Sequence, residues 1–148
     1  MMTRVEYALL ALLACIGLLL IASLPAHAKP ASSTYCLAID GDTIVCRVGL
    51  ERVHLRLNGI DAPELPGHCR KGRHCAPGDP YASKANLSGL IAGKRVHWLD
   101  LGTDKYGRTI AEVKVGRVDV QCAQLKGGFA IYKPRWDNGR TAKRECRL

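Results

Sequence analysis

From Arg52 the chain alternates: Val53, Leu55 and Leu57 are apolar, while Arg52, His54 and Arg56 are charged or polar. A period of two is that of a strand with one face buried, so a strand is expected over Glu51–Leu57, with Arg56 directed away from the apolar face. Asn58-Gly59 then signals a turn, and Ala62, which precedes Pro63, is pushed out of helical geometry. The resulting bend between Asp61 and Glu64 is expected to bring two carboxylates to one site beside a guanidinium. Such a set can hold a cation and a phosphate together; read alone, the same residues are more often a strand end with a solvated ion pair.

The same periodicity places the other elements. Tyr35–Ile39 and Thr43–Val48 are apolar, β-branched runs flanking Asp40-Gly41-Asp42, a hairpin signature. A three-residue loop with Gly41 in the left-handed region sets residue 39 opposite 43 and Cys36 opposite Cys46, so a cross-strand disulfide is expected there; a two-residue loop would undo that register. Residues 65–80 read as a loop rich in proline, glycine and basic residues. Asp79-Pro80 gives a helix cap and first position, and a helix is expected over Tyr81–Ala92 with Leu87, Leu90 and Ile91 as its apolar stripe and Gly93 as terminator. Further strands are expected over Lys94–Leu99 and Thr109–Val115, joined through the polar turn Asp104–Arg108. Asp119 is placed to cap a second short helix over Val120–Lys126, stopped by Gly127-Gly128. From Phe129 onward no periodicity is legible. Three strands, a helix, two strands and a helix fit a small antiparallel barrel with helices packed on it.

The leading residues carry a different signal. Arg4 precedes a charge-free run from Ala8 to Leu24, followed by Ala26-His27-Ala28, a small-x-small cleavage pattern. Residues 1–28 therefore read as a signal peptide cut after Ala28, an uncleaved anchor being the alternative. Residues 29–34 read as a linker, and 35–148 as one domain. The formal net charge of +9 is unchanged by removal of the leader and suggests a polyanionic partner. Six of the seven cysteines remain: Cys36, Cys46, Cys69, Cys75, Cys122 and Cys146. An even number in an oxidising compartment suggests disulfides, and a periplasmic or secreted location, with no membrane association after cleavage.

Three short motifs then occur in order: Asp40-Gly41-Asp42-Thr43, Arg56-Leu57-x-x-Ile60-Asp61-x-Pro63-Glu64, and Asp104-Lys105-Tyr106-Gly107-Arg108. Each alone is weak, because acidic glycine turns and arginine on a turn are ordinary chemistry. Together, across residues 35–132, they resemble the staphylococcal (micrococcal) nuclease, or thermonuclease, family. The resemblance implies an α+β, mainly β fold: a five-stranded OB-fold barrel with two short packed helices. It also implies calcium-dependent cleavage of DNA and/or RNA with 3′-phosphorylated products and little sequence specificity. Carried over, Asp42 and Asp61 are the calcium-binding carboxylates, with the backbone carbonyl of Ala62, and Asp40 is a nearby acidic support. Arg56 and Arg108 grip the scissile phosphate, Glu64 acts on the attacking water, and Lys105 and Tyr106 lie along the nucleotide. The chemistry agrees: calcium takes hard oxygen ligands in irregular geometry, and two guanidiniums can meet charge developing on phosphate oxygens. No stable protein partner is implied. The alternative is a non-catalytic OB-type module that binds nucleic acid or another polyanion.

The chain departs from that pattern in two places. The family's further C-terminal helix is expected to be missing, with a Cys122–Cys146 disulfide tying the tail to the second helix instead. Tyr132 or Trp136 is then a candidate stacking face for a base, or an ordinary core aromatic. The loop His68-Cys69-Arg70-Lys71-Gly72-Arg73-His74-Cys75 offers two His-Cys pairs, which would suit zinc, but export favours a Cys69–Cys75 disulfide. Its Arg70, Lys71 and Arg73 form either a phosphate-attracting rim or a solvated face.

Overall fold

The computed structural model describes residues 30–148, so the expected leader, its cleavage site and Cys15 lie outside the described residues. Strands β1 (Pro30–Ser33), β2 (Cys36–Ala38), β3 (Thr43–Val48), β4 (Glu51–Leu57) and β5 (Ile60–Asp61) come first. Helix α1 (Pro80–Ile91) follows, then β6 (Val96–Thr103), β7 (Thr109–Val115), β8 (Val118–Asp119) and helix α2 (Val120–Lys126). The chain ends with β9 (Ile131–Tyr132), two 3-10 turns (Pro134–Trp136 and Asn138–Arg140) and helix α3 (Thr141–Cys146). The fold is α+β and mainly strand.

The main sheet has the order β1-β6-β7-β4-β3-β2, with β8 on β7, and β5 pairs separately with β9. All main-sheet pairs are antiparallel except β4–β7, which run parallel. The ladder does not close through hydrogen-bonded strands. Its two end strands, β1 and β2, are nevertheless consecutive in the chain and separated only by Thr34 and Tyr35, so the sheet has to curl round to let one bent segment serve both edges. At that corner Arg47 N donates to Tyr35 O at 2.8 Å and Ser33 Oγ donates to Arg47 O at 2.5 Å. This is an OB-like arrangement around one core. Ile44, Leu55, Leu57, Val96, Ala111 and Val113 from the inner faces meet Leu87 and Ile91 of α1 and Val120 of α2, all fully or almost fully buried. Burying each of the larger side chains contributes about 1.5–3 kcal/mol, and alternation along β4 is what aims them inward.

Four details correct the sequence reading. Residues 30–33, expected as part of a linker, are an edge strand paired with β6 from Pro30↔Leu99 to Ser33↔Val96. β6 runs four residues beyond the expected Leu99, with a bulge between Asp100 and Thr103. Gly41 does not take a positive φ. It is needed for space: a Cβ there would lie 1.9 Å from Ser83 Oγ and 2.6 Å from Ala62 Cβ. The tail is not featureless either, since α3 is a third helix among the described residues where two were expected.

The three disulfides join the pairs expected. Cys36–Cys46 sits on the directly paired positions of β2 and β3, so the three-residue loop and its register are as read even though the glycine works differently. Cys122–Cys146 ties α3 to α2, and Cys69–Cys75 closes the loop before α1, which leaves neither thiol of that loop for zinc. Asp79 caps α1 through bonds from Tyr81 N and Ala82 N, and Asp119 caps α2 through Cys122 N.

Candidate functional site

The pairing of β3, β4 and β7 puts the three motifs together. Thr43 pairs with Arg56, and Arg56 pairs with Ile110, so the start of β3, the end of β4 and the turn before β7 share one end of the sheet. An open cleft of about 880 Å³ lies there. Asp40, Asp42, Arg56, Glu64, Lys105, Tyr106 and Arg108 all line it, as do Arg70, Arg73, Asp104, Arg135 and Trp136. Asp61 and Ala62 do not line it; both are buried.

Each of these groups is held. The acidic turn is fixed from behind by Gln124 of α2, whose Nε2 donates to Gly41 O at 2.6 Å, and by the close approach of α1 that only glycine permits. Asp40 Oδ1 accepts from Asp42 N at 3.0 Å, a support within the turn. Asp42 Oδ2 accepts from Ala62 N at 2.7 Å, which ties the two acidic motifs directly. The Arg56 guanidinium lies 2.5 Å from Asp42 Oδ1 and 3.7 Å from Asp61 Oδ1, and it also donates to the carbonyls of Asp42 and Ile60. Arg108 is aimed by Asp104: the carboxylate accepts from the amides of Tyr106 and Arg108 and from Arg108 Nε at 2.8 Å. Its Nη1 reaches Thr43 Oγ1 at 3.4 Å. Tyr106 stands at the rim, more than half exposed, with the cations of Arg70, Lys105 and Arg108 each within 5.4 Å of its ring centre.

The guanidinium that spans the bend is not the one the sequence suggested. Arg56 reaches Asp61 but not Glu64. Arg73, from the disulfide-closed loop, lies 2.7 Å from Asp61 Oδ1 and 2.6 Å from Glu64 Oε1. Of the three basic residues of that loop, Arg70 and Arg73 line the cleft and Lys71 does not. Of the two stacking candidates, Trp136 lines the cleft, with the Arg56 and Arg73 guanidiniums each 5.5 Å from its ring centre. Tyr132 lies outside it and donates its hydroxyl to Asp137 Oδ2. Sequence reasoning also missed the roles of Asn58, which reads only as part of a turn, of Asp104, which reads only as part of the third motif, and of Gln124, which has no local signature beyond being polar.

The electrostatics suit a cation. Burial pushes the Asp42 carboxyl up to about 7 against the pull of Arg56, with the nearby charges of Asp40 and Asp61 adding to the rise. Among the described residues Asp61 Oδ2 is buried with no hydrogen-bond partner, and Lys133 Nζ lies 3.6 Å from it. A buried carboxylate that is costly to ionise, as Asp42 is, beside a buried carboxylate oxygen left without a partner, as on Asp61, is the environment a hard divalent ion relieves. Asp42 and Asp61 are therefore the two carboxylates of the site that could hold a cation, and the contact seen for Ala62 is its amide on Asp42 Oδ2. The cleft is otherwise basic: Arg56, Arg70, Arg73, Lys105, Arg108 and Arg135 outnumber Asp40, Asp42, Glu64 and Asp104, which leaves positive charge for a polyanion.

Among the described residues no helix is long and apolar enough to cross a membrane. The chain is 37% identical over 90 residues to "Probable endonuclease LCL3" of Yarrowia lipolytica, covering 57% of this chain and 37% of that protein. It is 38% identical over 93 residues to the protein of the same name from Paracoccidioides brasiliensis strain Pb03, covering 56% and 25%. To that of Aspergillus clavatus it is 34% identical over 97 residues, covering 57% and 31%. The chain thus spans only about a quarter to two fifths of the length of these curated relatives. The family model described as Staphylococcal nuclease homologue matches residues 54–147, from β4 through the tail. With more than half of its length matched, the chain belongs to the staphylococcal nuclease homologue family.

Proposed function

We propose that this protein is an exported, calcium-dependent nuclease that hydrolyses phosphodiester bonds of DNA and/or RNA with little sequence specificity and leaves 3′-phosphorylated ends. The observation that carries the reading is the convergence of Asp42, Arg56, Glu64 and Arg108 on one basic cleft, with Asp61 buried beside Arg56. The names of the relatives, which describe endonucleases, support it.

In this reading Asp42, Asp61 and the Ala62 carbonyl hold the cation, with Asp40 as their support. A calcium ion held there would supply positive charge to the scissile phosphate and help to order water. Arg56 and Arg108 donate to the phosphate oxygens as charge builds on them; Arg56 is positioned by Asp42 and the Ile60 carbonyl, and Arg108 by Asp104 and the Thr43 hydroxyl. Glu64 takes the proton of the attacking water. Lys105 and Tyr106 lie along the bound nucleotide, and Trp136 offers a stacking face in the same cleft. Residues 1–28 act as a leader cut after Ala28, delivering the domain to the periplasm or the medium, where its three disulfides persist.

The test is digestion of DNA and RNA with calcium and with chelator, followed by end-group analysis. Calcium-dependent cleavage leaving 3′-phosphates is expected. Binding of nucleic acid with no chelator-sensitive cleavage would favour a non-catalytic module.

A further inference from the structure

Arg73 belongs to none of the three motifs, yet it makes two of the shortest ion pairs in the cleft. Its Nη2 lies 2.7 Å from Asp61 Oδ1, its Nη1 lies 2.6 Å from Glu64 Oε1, and its guanidinium is 5.5 Å from the centre of the Trp136 ring. It is carried by a seven-residue ring closed by the Cys69–Cys75 disulfide, inside which Arg73 N donates to Arg70 O at 3.0 Å and Gly72 takes a φ of 81°. From the same ring Arg70 lies 5.4 Å from the centre of the Tyr106 ring, which also lines the cleft. The ring thus places its arginines against two aromatic residues of the cleft lining. Its inner arginine sits on two carboxylates, of which Asp61 is only 1% exposed and has little water to stabilise it.

Resting on the cation-assisted reading above, we propose that Arg73 is a resident counter-cation and positioning residue: it neutralises Asp61 and Glu64 while the site holds no metal, and an entering divalent cation has to displace it. A guanidinium and a divalent ion sharing one buried carboxylate would be like charges at contact distance in a poorly screened setting. The two therefore exchange. A partly exposed arginine can leave, because its side chain is 32% accessible, whereas Arg56 is held by two carbonyls as well as by Asp42. The disulfide keeps the released arginine at the cleft, so that it returns when the metal leaves. Arg73 thereby sets the metal affinity of the site without being a metal ligand.

The test compares wild type with Arg73→Met and with the double variant Cys69→Ser/Cys75→Ser. Calcium chloride is titrated into metal-free protein by calorimetry, and the unfolding midpoint is measured in chelator and in calcium. R73M is expected to bind calcium roughly tenfold tighter or more, the size of a charge-assisted hydrogen-bonded pair no longer given up. It is also expected to melt below wild type in chelator, where Asp61 loses its partner, with the gap narrowing in calcium. The double variant, which loosens the arginine without removing it, is expected to shift the same way by less. A purely structural arginine would lower the midpoint and leave calcium affinity equal or weaker; that result overturns the proposal while calcium-dependent cleavage by wild type still stands. Absence of calcium binding by wild type and R73M alike would overturn the calcium reading, and this inference with it.

Discussion

Asn58 Nδ2 donates to Asp137 Oδ1 at 2.9 Å across 79 residues of sequence, joining the turn after β4 to the tail. The same side chain donates to Thr141 Oγ1 at 2.8 Å and accepts from Asn138 N at 2.9 Å, and it is 1% exposed. Asp137 in turn accepts from the amides of Ala142 and Lys143 at the start of α3. Trp136 therefore enters the cleft from a segment locked at the residue following it, directly beside the bend that carries Asp61.

Asn58→Ala is expected to cost about 2–4 kcal/mol, because several buried polar groups lose partners at once. Denaturant unfolding measures this. Trp136 fluorescence should shift toward that of a solvated indole in the same variant. An unchanged midpoint would mean that the tail is held without this network.

Arg108 depends on Asp104 for its aim, so the two should differ in the size of their effect. Arg108→Met is expected to lower kcat on DNA in calcium by about 10²-fold or more, the loss typical of one charge-stabilising donor. Asp104→Asn leaves the guanidinium present but less well held, and a smaller loss of about tenfold is expected from misplacement. Equal losses would mean that Asp104 does more than orient; no loss in R108M would remove Arg108 from the chemistry.

The pH dependence follows from Asp42. Its carboxyl rises from 3.8 to about 7 on folding, chiefly through burial. Between those values the cation-free folded protein binds more protons than the unfolded chain, so its stability falls as pH rises from about 4 to about 7 and levels off above. A cation binds the ionised form, so calcium affinity should fall as pH drops below about 7, approaching tenfold per pH unit as one proton is released, and should be flat above. Calorimetric titrations at pH 6, 7 and 8 check this. Affinity independent of pH across that range would contradict the burial-driven rise.

The parts of the fold that were legible in the sequence are those decided locally. Alternation along β4, the Asp79-Pro80 and Asp119 caps, and the loop length that sets Cys36 opposite Cys46 are all short-range features. So are the motif residues, which the register of three neighbouring strands then gathers. What escaped is decided over distance. β1 is four residues with no alternation of their own, made a strand by the exposed edge of β6. Helix α3 has only six residues and is held by Cys146 and Asp137 rather than by any apolar stripe. The hairpin pattern calls for Gly41 because of its φ, but its missing Cβ serves the packing of α1 against the acidic turn. Arg73 looked like one basic residue in a basic loop, and only the folded ring puts it between Asp61 and Glu64.

Glu64→Gln offers the most direct measurement of whether this cleft cleaves phosphodiesters. The side chain keeps nearly the same shape and loses its capacity to take a proton. With calcium present, nucleic-acid affinity within about threefold of wild type and a kcat lower by about 10²–10⁴-fold are expected, as for removal of a general base. Turnover that survives the substitution intact would contradict the assignment of Glu64 and of the chemistry built around it.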